Sequence, residues 1–160
     1  MTTLAFYRGK GTVVDRAIRW ASRGEFSHVE LADLGRGLGL SASARDGGVR
    51  IKPIDFASEH WDVVEIPWIA QAGSWARAVE HIAAPYDYLG IFGSQALALS
   101  RHYRKAWFCS ELCAHALGLD APQSYSPQSL FRAVTFGRRA FQAGGQIGNY
   151  ARGNEVADLA

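Results

Sequence analysis

The stretch from Phe26 to Pro67 limits the fold of this chain more than any other, because its hydrophobic pattern keeps resetting after short runs. In Phe26 to Leu34, Val29 and Leu31 alternate with His28 and Glu30, the period of a strand whose two faces differ. Gly35, Gly37 and Gly39 form a flexible turn, and Leu40 to Ala44 reads as the paired strand. Asp46-Gly47-Gly48 is a turn signal, after which Val49 to Ile51 resumes extended structure until Pro53. Trp61 to Ile66 is a further strand closed by Pro67. These segments predict an antiparallel meander in the middle of the chain.

Helical periodicity flanks the meander on both sides. Leu4 to Tyr7 opens the chain as a strand, and a helix follows over about Thr12 to Arg23, with Thr12 as N-cap and a stripe of Val14, Ala17, Ile18 and Ala21. Ser74 is the expected cap of a helix whose face is Trp75, Ala78, Val79 and Ile82, ending before Pro85. The apolar run Tyr88 to Ser100, interrupted by two glycines and a glutamine, is too short to span a bilayer and reads as a buried helix. In Trp107 to Gly118, Cys109, Leu112, Cys113, Ala116 and Leu117 make one apolar helix face, and Gly118 sits where helices commonly stop. Ser126-Pro127 starts a last helix with Leu130, Phe131 and Val134 buried, and the pattern decays from Gly137 onward. The expected architecture is α+β, a small antiparallel sheet or half-barrel packed against helices. One domain covers residues 1–143, followed by a loosely held tail over 144–160.

Composition narrows the function classes. A chain of 160 residues with 48% hydrophobic content can build one proper core. Its 17 basic and 15 acidic side chains nearly cancel, so no strong field for nucleic acid or a membrane surface is implied. The aromatic residues are not interleaved with a basic patch, which argues against a nucleic-acid platform. No Walker-type loop is present, and Cys109, Cys113 and His115 do not match the spacing of a structural zinc site; no metal or cofactor is expected. The two cysteines lie four apart on one predicted helix, where a disulfide conflicts with helical geometry, so both read as thiols. The N-terminus lacks the basic start and long apolar run of a secretory signal, so a cytoplasmic location is expected, with export by another route left open. Oligomeric state is not encoded in any pattern visible here.

Cys109 carries the chemical interest. At the first turn of its helix a thiol meets the positive end of the helix dipole and unpaired backbone N–H groups, both of which favour thiolate. Against this stands the ordinary reading of a buried cysteine as a small hydrophobe, and for Cys113, one turn deeper, that reading wins. A nucleophilic thiol needs an imidazole within hydrogen-bond reach and a third polar group to orient the ring. His28, mid-strand on a polar face, is the best base. His60, His81, His102 and His115 compete poorly because of their loop, linker or helix-face positions. For the third group, Ser41 and Ser43 alternate with Leu40, Ala42 and Ala44 on the next strand. Glu30 is the other candidate, but strand rise alone sets it about 7 Å along the chain from His28.

Several segments resemble the circularly permuted branch of the NlpC-type papain-like cysteine peptidases and amidases, including bacteriophage-encoded versions. They are Phe26-Ser27-His28-Val29-Glu30-Leu31, Arg45-Asp46-Gly47-Gly48-Val49-Arg50, Pro85-Tyr86-Asp87-Tyr88 and Phe108-Cys109-Ser110-Glu111-Leu112. As in that branch, the histidine strand precedes the cysteine helix, and the match runs from about Leu4 to Phe136. The resemblance implies a papain-like domain with Cys109 as nucleophile, His28 as base and Tyr86 shaping the substrate site. Many members carry a glutamate as third residue where this chain offers Ser41 or Ser43. The implied activity is hydrolysis of an amide bond, with a cell-wall peptide among the substrates. The alternatives are a thioesterase or acyltransferase acting on lipid, and a catalytically silent binding module. The related lipid-directed acyltransferases carry an asparagine-cysteine-glutamate-histidine box, which Phe108-Cys109-Ser110-Glu111 does not match.

Overall fold

The computed structural model describes residues 1–9, 13–86 and 106–144. The proposed Thr12 cap, the apolar Tyr88 to Ser100 run, His102 and the tail after residue 144 lie outside the described residues. The described elements are β1 (Thr2–Tyr7), α1 (Val13–Ser22), β2 (His28–Asp33), β3 (Leu38–Ser43), β4 (Gly48–Pro53), β5 (Trp61–Ile66), α2 (Gln71–Val79), α3 (Cys109–Ala116), a single 3-10 turn at Pro122–Ser124, and α4 (Pro127–Gln142). The class is α+β: the described residues form four helices and an open five-stranded sheet, all antiparallel, in the order β4-β3-β2-β1-β5.

The meander holds for β2, β3 and β4, but β5 does not continue it. It crosses to the far side and pairs with β1, from Thr2↔Ile66 to Tyr7↔Trp61. The cause is burial. β1 is buried from Thr2 to Phe6, so it is a central strand with backbone groups to satisfy on both edges. Pairing with β5 also places Val64 and Ile66 beside Leu4, Phe6, Val29 and Leu31 on one sheet face, and all six are core residues. The opposite face carries Tyr7, His28, Glu30 and Trp61. Helix α3 packs on β2 and β3, and α2 packs on α3.

Two helix expectations change. Ser74 does not cap α2; the helix begins a turn earlier, after Ala70, and Ser74 is buried, its hydroxyl donating to the Gln71 carbonyl at 2.9 Å and bonded to Thr2 Oγ1 at 2.9 Å. The buried face is Ser74 and Ala78, while Val79 and Ile82 are exposed. Docking on β1 therefore outweighs the local cap. At the other end, α4 runs through Gly137 to Gln142. A side chain at Gly137 would meet the Trp68 indole at 2.9 Å, so this glycine permits a close approach and does not end the helix. The Ser126 cap forms as expected, its hydroxyl accepting from Ser129 N at 3.1 Å while Ser129 Oγ accepts from Ser126 N at 2.9 Å. Among the described residues, no helix is long and apolar enough to cross a membrane.

Candidate functional site

Three strands and one helix terminus converge on His28. In the register of β1 with its neighbours, Tyr7 lies opposite both His28 and Trp61, so one row across three strands carries imidazole, phenol and indole. The Tyr7 and Trp61 rings lie 5.0 Å apart. Cys109 opens α3, and that end is tied to the sheet by backbone. Residues after Ala84 extend the β4 edge, with Val49 N donating to Ala84 O at 2.9 Å and Trp107 N to Pro85 O at 2.9 Å. Gly48 allows this, since a Cβ there would lie 2.2 Å from the Ala84 oxygen. Phe108 N is capped by the Glu111 carboxylate at 3.4 Å.

The predicted base and nucleophile are brought together: Cys109 stands near enough to act on the charge of the His28 ring. Neither serine orients the ring. Ser41 is fully buried and donates to the Val29 carbonyl at 2.6 Å, beyond the last paired residues of β2 and β3 at Leu31↔Leu40. Ser43 Oγ accepts from Asp46 N at 3.3 Å and helps close the turn. The partner of His28 is Glu30, whose Oε1 lies 2.8 Å from Nε2. Strand rise separates their backbones, but two long side chains on one face lean together and close the gap.

Glu30 is 1% exposed and belongs to a chain of charges. Arg50 from β4 grips it with two bonds, Nη1 to Oε2 at 2.7 Å and Nη2 to Oε1 at 2.5 Å. The Nε of Arg50 donates to Asp46 Oδ2 at 2.7 Å, and Lys52 Nζ reaches the same oxygen at 2.7 Å. Gly39, on the strand between, makes room: a Cβ there would stand 3.0 Å from Glu30 Oε2. Sequence reading left Glu30 open beside Ser41 and Ser43 and missed Arg50 as a site residue. The available signal was the combination of His-x-Glu on one strand, glycine on the next and arginine on the third.

These contacts set the charges. Burial pulls the His28 pKa down, but the charges of Cys109 and Glu30 and hydrogen bonds to both outweigh it and raise it to about 10. Burial pushes the Glu30 carboxyl up, and the His28 charge together with the Arg50 and His28 hydrogen bonds outweighs that and holds it below its ordinary value. The Cys113 thiol is pushed well up, mainly by burial, which suits a packing role; its sulfur lies 3.9 Å from the Val29 oxygen.

A cavity of about 460 Å³ opens over this face. Tyr7, Ile18, Ile54 and Trp61 give it apolar walls, and Ser27, His28, Glu30, Ser43 and Tyr86 also line it. Tyr86, 5% exposed, packs its ring 5.9 Å from Phe108, next to the cysteine. Cys109 is fully buried and is not part of the lining. Among the described residues, no three His, Cys, Asp or Glu side chains are grouped to hold a metal ion. No protein-family model matches this chain, and comparison with curated proteins finds no match.

Proposed function

We propose that the protein is a papain-like thiol hydrolase that cleaves an amide bond. The observation that supports this reading is the His28 ring held between Cys109 on one side and the buried Glu30–Arg50 pair on the other. With Nε2 engaged by Glu30, Nδ1 is the nitrogen left to serve the sulfur. Cys109 attacks the carbonyl carbon as a thiolate, its proton already resting on His28. The tetrahedral intermediate collapses with loss of the amine, which takes the proton from His28. Water then attacks the thioester, His28 accepts its proton, and the acid leaves as the thiolate beside protonated His28 is restored. N–H groups at the start of α3 stand as donors for the oxyanion. Glu30 fixes the ring and steadies its charge, in the manner of the carboxylate of a serine protease triad.

A second reading, a binding module that has lost catalysis, draws on one observation: Cys109 is fully buried and outside the cavity lining. Turnover of a peptide-amide panel by wild type and by Cys109→Ala tests the two together. The hydrolase reading expects amide cleavage that falls by about 10³-fold or more in the variant. It also expects iodoacetamide labelling of Cys109 near neutral pH to slow at least about tenfold in His28→Ala. Acyl-ester turnover without amide turnover transfers the assignment to a thioesterase. No turnover, with labelling indifferent to His28, leaves the binding module.

A further inference from the structure

Among the described residues, two buried side-chain polar atoms lack a hydrogen-bond partner, Ser27 Oγ and Trp75 Nε1. Trp75 belongs to α2 and is not part of the cavity lining, whereas Ser27 lines the cavity directly before His28. Ser27 is 1% exposed. Its backbone is already held, N donating to Tyr7 O at 3.0 Å. The preceding Phe26 is locked between the Phe6 and Phe131 rings, at 5.5 and 4.5 Å. The strand therefore needs nothing from the hydroxyl, and an unpaired buried hydroxyl carries a desolvation cost that alanine would avoid. A group that costs stability beside a proposed base is accounted for when a ligand supplies its partner.

We propose that Ser27 is a substrate-binding residue whose hydroxyl donates a hydrogen bond to the carbonyl oxygen of the acyl group that Cys109 attacks. The inference rests on the thiol-hydrolase reading and adds the class of ligand. It is an acyl compound with its carbonyl oxygen toward Ser27 and an apolar or aromatic arm against Tyr7, Ile54 and Trp61. An arm of that kind also suits the tilted Tyr7–Trp61 ring pair that forms this wall.

The test compares full-length wild type with Ser27→Ala, using 4-nitrophenyl 3-phenylpropanoate as substrate and methyl methanethiosulfonate as a thiol probe without an acyl carbonyl. The expected result is a fall in kcat/KM of about tenfold, the size of one lost hydrogen bond to substrate. The thiol-probe rate stays unchanged, and the Tm is no lower than that of wild type. Unchanged kcat/KM overturns the assignment, and so does a lowered Tm, which means that the hydroxyl supports the fold. A wild-type protein that leaves the ester intact but cleaves the peptide-amide panel overturns this inference alone, and one that cleaves neither overturns the hydrolase reading with it. Wild-type turnover matched by Ser27→Ala overturns this inference alone.

Discussion

Two histidines near opposite ends of α3 are shifted in opposite directions by similar means. His28, beside the cysteine that starts the helix, keeps its proton up to about pH 10, because Cys109 and Glu30 outweigh the effect of burial. His115, in the last turn of the same helix, is pushed below its ordinary pKa by burial first, then by His81 and Arg77, with Glu80 opposing. Its Nε2 lies 3.3 Å from Nε2 of His81, and both rings pack against Trp107. Burial disfavours charge at both sites. The neighbours separate the two: an anionic frame reverses the effect of burial at His28, whereas at His115 the neighbours His81 and Arg77 add to it.

The comparison breaks most severely at Glu30. Glu30→Gln removes the buried anion, leaves Arg50 half-partnered, and is expected to cost about 3–5 kcal/mol of stability. Equilibrium urea unfolding measures this, and a loss below about 1 kcal/mol would refute the charge-frame account. In the same variant the His28 pKa falls toward its ordinary value, seen by NMR titration of the ring. The sign follows from linkage. With a folded pKa raised from 6.5 to about 10, His28 contributes stability fully below pH 6.5 and loses it as pH rises through about 10. Glu30, shifted down, contributes above its ordinary value of 4.5 and loses it as pH falls through the folded value. The variant loses the Glu30 slope and part of the His28 slope, the part due to Cys109 remaining.

A smaller effect is expected at Ser41, about 1 kcal/mol on substitution by alanine, for the lost bond to the Val29 carbonyl. The His28 titration and Cys109 labelling stay unchanged in Ser41→Ala; movement of either would restore the serine to the orienting role. The smallest effect, a few tenths of a kcal/mol, is expected at His81→Gln, which removes one of the neighbours that lower the His115 pKa. His115 has a lowered folded pKa, so its contribution is present above pH 6.5 and lost as pH falls. Unfolding midpoints at pH 7 and pH 5 should differ less in the variant than in wild type.

Much of this was visible in the chain before folding. The alternation of Val29 and Leu31 with His28 and Glu30 named a strand and its polar face, and Cys109 to Leu117 named a helix with its thiol at the first turn. Ser126-Pro127 marked a helix start to the residue. Misreadings arose where a local signal met a distant surface. Ser74 has the chemistry of a cap but is used as a buried contact to Thr2. Gly137 has the look of a stop but serves the Trp68 indole.

His28 and Cys109 were legible as a pair because each carries its own signal, a polar residue on an alternating strand and a thiol at a helix start. Glu30 stays undecided beside Ser41 and Ser43 in the sequence, since backbone rise measures the distance between Cα atoms and not between side-chain ends. What makes it the partner comes from elsewhere: Arg50 reaching across from β4, and Gly39 leaving its path open. Periodicity along a strand determined which residues share a face. Only the sheet order, which brings β2, β3 and β4 side by side, decided which of those faces would meet, because a carboxylate survives burial only where a partner from another strand arrives to hold its charge.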